Sequence, residues 1–96
     1  MELIKPEAGL DFTVTVEIQN TGSNDIYNAE LNFIFIKNND IVDTDIQSLN
    51  LESNSGGKDS VNFSNVPFKM DITYKAIASI YFENKLLDTK TITKQF

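Results

Sequence analysis

The stretch Phe12-Thr13-Val14-Thr15-Val16-Glu17-Ile18-Gln19 decides the fold class of this chain. Phe12, Val14, Val16 and Ile18 fall on one side of an extended backbone, and Thr13, Thr15, Glu17 and Gln19 on the other. Strict alternation carried by β-branched residues predicts a strand with one buried and one wet face. Asn20-Thr21-Gly22-Ser23-Asn24-Asp25 then breaks the pattern, being made of residues that accept turn conformations.

The same period of two recurs along the chain. Residues 27–37 place Tyr27, Ala29, Leu31, Phe33 and Phe35 on one face, while Ile34 and Ile36 make the far end apolar on both sides. Asn38-Asn39-Asp40 is a hairpin-turn signal. Residues 41–49 read as a weaker strand broken by Asp43 and Asp45, and Ser53-Asn54-Ser55-Gly56-Gly57 as a loop. Alternation resumes over 59–66, with Val61 and Phe63 inward and Ser60, Asn62 and Ser64 outward. It stops at Pro67, which cannot donate to a ladder. The strongest pattern spans 72–82, with Ile72, Tyr74, Ala76, Ala78, Ile80 and Phe82 on one face. Glu83-Asn84-Lys85 turns the chain into a Thr-rich strand over 86–95, and residues 2–5 add a short first strand before Pro6. No window sustains a helical period. The expected fold is all-β: an antiparallel, two-sheet, immunoglobulin-like Greek-key β-sandwich of about seven strands.

One internal echo stands out. Asn39-Asp40-Ile41-Val42-Asp43-Thr44 resembles Asn84-Lys85-Leu86-Leu87-Asp88-Thr89, each copy following an apolar strand and opening a return strand. Two hairpins that solved the same turn problem would produce it, and so would a duplicated half-domain.

The 96 residues suit one domain spanning 1–96. The opening Met-Glu-Leu-Ile-Lys-Pro lacks the charged-then-apolar layout of a secretory signal and reads as starting just before a strand. The expectation is a domain excised from a longer chain, with Met1 an added start. There is no Cys, His, Trp or Arg, and 14 acidic residues outweigh 8 lysines for a net charge of −6. Without Cys there is no disulfide, thiolate nucleophile or Cys-based metal site. Without His the usual general base near neutrality and the commonest transition-metal ligand are missing. The acidic balance argues against nucleic acid and anionic membrane surfaces, where cations must meet phosphates. The longest apolar run, Phe33-Ile34-Phe35-Ile36, is far too short to cross a bilayer.

The run from Asp11 through Gly22, a strand closed by Asn20-Thr21-Gly22, resembles the opening of a CARDB-type domain. The later features follow in that family's order: Ile41-Val42-Asp43-Thr44 after a turn, then Leu49 and Leu51 before Gly56-Gly57. Val61 and Phe63 come next, then Tyr74-Lys75-Ala76-Ile77-Ala78 leading into a hairpin. The resemblance covers roughly residues 8–94, and FxLYD-type and fibronectin-III-like sandwiches are similar too. It implies an immunoglobulin-like module of a prokaryotic cell-surface or secreted protein. Asp71-Ile72-Thr73-Tyr74-Lys75-Ala76 is similar to the tyrosine corner of immunoglobulin sandwiches, with Ala76 where a Cys would stand. With no Trp available, Phe33 or Phe35 must fill the centre.

Candidate chemistry is sparse. Asp43 and Asp45 share a strand face, but there is no Trp to stack a sugar and a sandwich this small offers no deep cleft for carboxylate-driven hydrolysis. A solvated face that deters edge pairing accounts for them. Asn38, Asn39, Asp40, Asp43 and Asp45 offer oxygen ligands near one hairpin without EF-hand spacing, so turn chemistry competes with a weak calcium site. No metal or other cofactor is therefore assigned. Asn62-Phe63-Ser64 satisfies the N-glycosylation sequon, with Asn62 facing outward. Ile34, Ile36, Ile77 and Tyr81 all fall outside, on strands that neighbour each other in an immunoglobulin-like sheet, and would form one apolar contact patch. A bulge or cross-strand packing would also account for them. The functional expectation is a non-enzymatic structural or interaction module whose partners are neighbouring domains of the parent chain or another surface protein. Neither nucleic acid nor membrane insertion is expected. The alternative is a ligand-binding module for carbohydrate or for a peptide strand added to an exposed edge.

Overall fold

A computed structural model of the chain describes residues 1–6, 11–64 and 66–96. Seven strands follow in order: β1 Glu2–Ile4, β2 Phe12–Gln19, β3 Ile26–Lys37, β4 Asp40–Leu51, β5 Gly56–Phe63, β6 Thr73–Phe82 and β7 Lys85–Gln95. They form two antiparallel sheets, β1-β2-β5 and β4-β3-β6-β7. The alternating apolar residues explain the stacking: each sheet has one face that must leave water, and the two faces cover each other. β3 and β6 are neighbours, as an immunoglobulin-like sandwich requires.

The core is aromatic. Phe12, Phe33, Phe35, Phe63 and Tyr74 are buried, with Val14 and Val16 from the facing sheet. The Phe35 ring lies 5.0 Å from Phe12 and 5.0 Å from Phe63, the latter stacked within 8°. Phe35 pairs directly with Ala76, whose small side chain leaves room for that ring beside Tyr74. So Phe35 holds the centre, and Phe33 is equally buried one pair along the sheet. The Tyr74 hydroxyl accepts from the Lys69 amide at 3.0 Å and donates to the Pro67 carbonyl at 3.4 Å. That ties the segment entering β6 to the strand, as a tyrosine corner does.

Several expectations need correction. Tyr27 does not face the core: it is 55% exposed. The register shifts between Ile26 and Ala29, with Asn28 at φ 59°, and this extra residue turns Tyr27 outward. Asp43 and Asp45 do not break the fourth strand, which runs unbroken from Asp40 to Leu51. An edge strand needs a ladder on one side only, so polar residues interrupt it less than they would a central strand. Gly56 and Gly57 belong to β5 rather than to a loop, pairing with Gln19 and Ile18. A Cβ on Gly56 would lie 2.8 Å from the Ile18 carbonyl oxygen, so only glycine permits this approach of strand to strand. At its other end β5 stops at Phe63; of the strand expected over 59–66, residue 65 lies outside the described residues.

The two echoing segments make the same structure. Asn38 and Asn39 turn at φ 51° and 73°, and Glu83 and Asn84 at φ 49° and 63°, the two-residue geometry that matches strand twist. Each return strand then carries one extra residue, Val42 opposite the Phe35–Ile36 step and Leu87 opposite the Ile80–Tyr81 step. After each bulge an aspartate accepts from the next amide, Asp43 from Thr44 and Asp88 from Thr89, both at 2.8 Å.

Candidate functional site

Register fixes which side chains share the outer face of the four-stranded sheet, because directly paired residues point the same way. One row across it runs Ile41, Ile36, Lys75, Thr93. The next is Thr44, Ile34, Ile77, Thr91. Ile46, Asn32, Ser79 and Thr89 form the third, and Ser48, Glu30, Tyr81 and Leu86 the fourth. Only Lys75 and Glu30 carry charge.

Of the expected patch, Ile34 and Ile77 are a direct cross-strand pair, and Ile36 adjoins them in the first row. Tyr81 shares the face but stands in the fourth row, separated from the isoleucines by Asn32 and Ser79. All four are half-buried, because neighbouring side chains shield them. The most exposed apolar groups here are ones the strand patterns did not single out: Ile41 at 65%, Ile46 at 64% and Leu86 at 53%. Ile46 escapes notice because its face is set by pairing with Asn32, and that pairing depends on the bulge at Val42. At the middle of the face the Asn32 Oδ1 is buried and has no hydrogen-bond partner.

A second feature lies between the sheets. β1 pairs only with Thr13–Thr15, so among the described residues Val16–Gln19 have a strand partner on the β5 side alone. Beside that unpaired edge a groove of about 720 Å³ runs from β2 to β7, floored by Leu31, Ala78 and Ile80 and rimmed by Glu17, Asp88 and Lys90.

The remaining candidates are dispersed. Asp43 and Asp45 point to the same side as Phe35 and Phe33, with which they pair, on the edge strand beyond most of the cover of the facing sheet. Asp45 accepts from the Gln47 amide at 2.9 Å. Asp40, Asp43 and Asp45 do not converge, and no group of three or more carboxylates does among the described residues. Asn62 lies exposed on β5, its Oδ1 accepting from the Thr13 hydroxyl at 2.9 Å.

The Asn20-Thr21-Gly22 signature has a structural task. Asn20 is buried, its Nδ2 donating to the carbonyls of Asn24 at 2.9 Å and Leu51 at 3.2 Å, while its Oδ1 accepts from the Gly22 amide. Its own amide donates to the Ser55 carbonyl at 2.8 Å. One side chain thus closes the β2–β3 turn and pins it to the end of β4. Next to it, Asp25 Oδ1 accepts from the Ser53 amide and its Oδ2 from the Tyr27 hydroxyl. These two bonds hold the Asp25 carboxyl below the usual carboxylate value, and the carboxylate in turn pushes the Tyr27 hydroxyl above its ordinary one.

No family model, curated protein or solved structure matches this chain.

Proposed function

We propose that this domain is a non-enzymatic spacer and interaction module of a larger cell-surface or secreted prokaryotic protein. The observation that carries the reading is strand direction. β2 starts beside the end of β3 and ends beside its start, so the two run opposite ways. With β1 antiparallel to β2, β3 to β6 and β6 to β7, β1 and β7 run the same way along the sandwich. The first strand begins midway along β2, where Glu2 lies opposite Thr15, and Phe96 packs beside Tyr74 at the end where β2 starts. A module threaded in this way extends a chain rather than folding it back on itself. The surface compartment rests on the CARDB-type likeness alone. Contacts with neighbouring domains are assigned to the outer face of the four-stranded sheet, where sixteen positions hold two charges.

Head-to-tail fusions of two and three copies test the spacer reading by small-angle scattering. The maximum dimension is expected to grow with each copy beyond the 45 Å of one body; fusions that stay compact would overturn it. Replacing Ile77 with Lys tests the face, since the position is outward and folding is expected to survive. A domain–domain contact in the parent protein that persists in Ile77→Lys rules the face out.

A second reading, capture of a peptide strand, is favoured by the Val16–Gln19 edge, unpaired among the described residues, beside a groove with an apolar floor and a polar rim. A short extended peptide with alternate apolar residues would complete the ladder and fill the groove at once. Titration with such peptides is expected to shift the Val16–Gln19 amide resonances; shifts that spare them count against this reading.

A further inference from the structure

We infer that the outer face of the four-stranded sheet pairs with the same face of a second copy of this chain. This rests on the reading of that face as a contact surface and names its partner. The face is self-complementary in charge. Its single cation, Lys75, stands in the first row on β6, and its single anion, Glu30, in the fourth row on β3. They are roughly 20 Å apart, too far to pair within one molecule. Their midpoint falls among Ile34, Asn32, Ile77 and Ser79, the centre of the face.

A twofold axis lying in the contact plane, through that centre and nearly perpendicular to the strands, therefore brings each Lys75 onto the Glu30 of the other copy. Symmetry makes two such ion pairs, one at each end of an uncharged middle that holds Ile34, Ile46 and Ile77. The strands of the two copies then cross at roughly 25°, within the range that aligned sheets adopt when they stack. Among the described residues no other acid occupies these sixteen positions, and Glu83 borders the fourth row beside Glu30, at the end that meets the Lys75 of the other copy. Four strands and four outward positions on each cover roughly 500 Å² in plan. Two stacked faces bury on the order of 1,000 Å², the lower bound for a specific interface. The pairing is accordingly weak and concentration-dependent.

Sedimentation equilibrium on the wild type and on Glu30→Lys, Lys75→Glu and the double exchange provides the test. The wild type is expected to dimerise with a dissociation constant between about 10 μM and 1 mM. Each single exchange places like charges together and is expected to weaken pairing at least about tenfold; the double exchange should return it to within about threefold of wild type. Glu30→Lys separates local from overall charge, because it lowers the net repulsion between copies and is still expected to weaken the dimer. A far-ultraviolet spectrum and urea midpoint for each variant establish that it is folded. A wild type that stays monomeric at 1 mM overturns the inference, as does a double exchange that fails to restore pairing. Neither result bears on contacts with other domains, which the Ile77→Lys measurement in the parent protein decides separately.

Discussion

Asn20 makes four hydrogen bonds at one end of the sandwich, three through its side chain and one through its backbone amide. It is the buried polar side chain, and it satisfies two carbonyls and one amide that would otherwise face each other across the end of the sandwich. Replacing it with Ala leaves the buried Leu51 carbonyl unpaired and takes the partner from the part-buried Asn24 carbonyl and Gly22 amide. Asn20→Ala is expected to cost about 2–3 kcal/mol in urea unfolding; a loss below about 0.5 kcal/mol would mean that the loop closes without it. Asp25 acts nearby through a charge. A carboxylate whose folded pKa is depressed adds stability above its unfolded value and loses it as pH falls through the folded one. The stability difference between wild type and Asp25→Asn is therefore expected to be constant above about pH 5 and to shrink as pH drops below about 4. A difference that persists unchanged at pH 2 would remove the Ser53 and Tyr27 bonds from the account.

At the scale of the strand, adjacent glycines do opposite things. Gly56 lets β5 approach the Ile18 carbonyl, and any Cβ there collides with backbone, whereas a Cβ on Gly57 meets nothing within 4 Å. Gly56→Ala is expected to destabilise the domain by at least about 1 kcal/mol. Gly57→Val is expected to stabilise it by a few tenths to about 1 kcal/mol, since it removes unfolded-state freedom and favours the strand. Thermal melts of both check this, and two changes of the same sign would show that β5 is not paired as described. The paired hairpins teach a related lesson. Asn39–Thr44 and Asn84–Thr89 looked alike as text, and the likeness is a shared turn, a shared one-residue bulge and a shared aspartate-to-amide bond.

Across the whole molecule, the net charge of −6 is nearly uncompensated by contact. One ion pair, Lys58 to Glu17 at 3.4 Å, occurs among the described residues, and both side chains are well exposed. Such a pair contributes little, while the acidic excess repels itself in the compact state. Raising the salt from about 10 mM to 300 mM shortens the screening length several-fold. The melting temperature is expected to rise over that range; a fall would mean that attractive pairs dominate instead. The same excess leaves the sixteen outer positions of the four-stranded sheet with one acid, Glu30, among the described residues.

Strand existence, the alternation of inner and outer residues on β2 and β6, both tight turns and the aromatic centre were legible in the chain as text. Each depends on neighbours a few residues away: a period of two, a pair of residues tolerant of positive φ, a Pro that ends a ladder. The outward turn of Tyr27, the membership of Gly56 and Gly57 in β5 and the exposure of Ile41 and Ile46 were not legible. These depend on which residue of another strand lies opposite, and a single inserted residue at Asn28 or Val42 changes that. The sequence by itself determined that this chain is a β-sandwich without the side chains for thiol, imidazole or guanidinium chemistry. Only the tertiary structure decided that Lys75 and Glu30 stand symmetrically about an otherwise uncharged face, because that relation is set by hydrogen-bond register between strands distant in the chain.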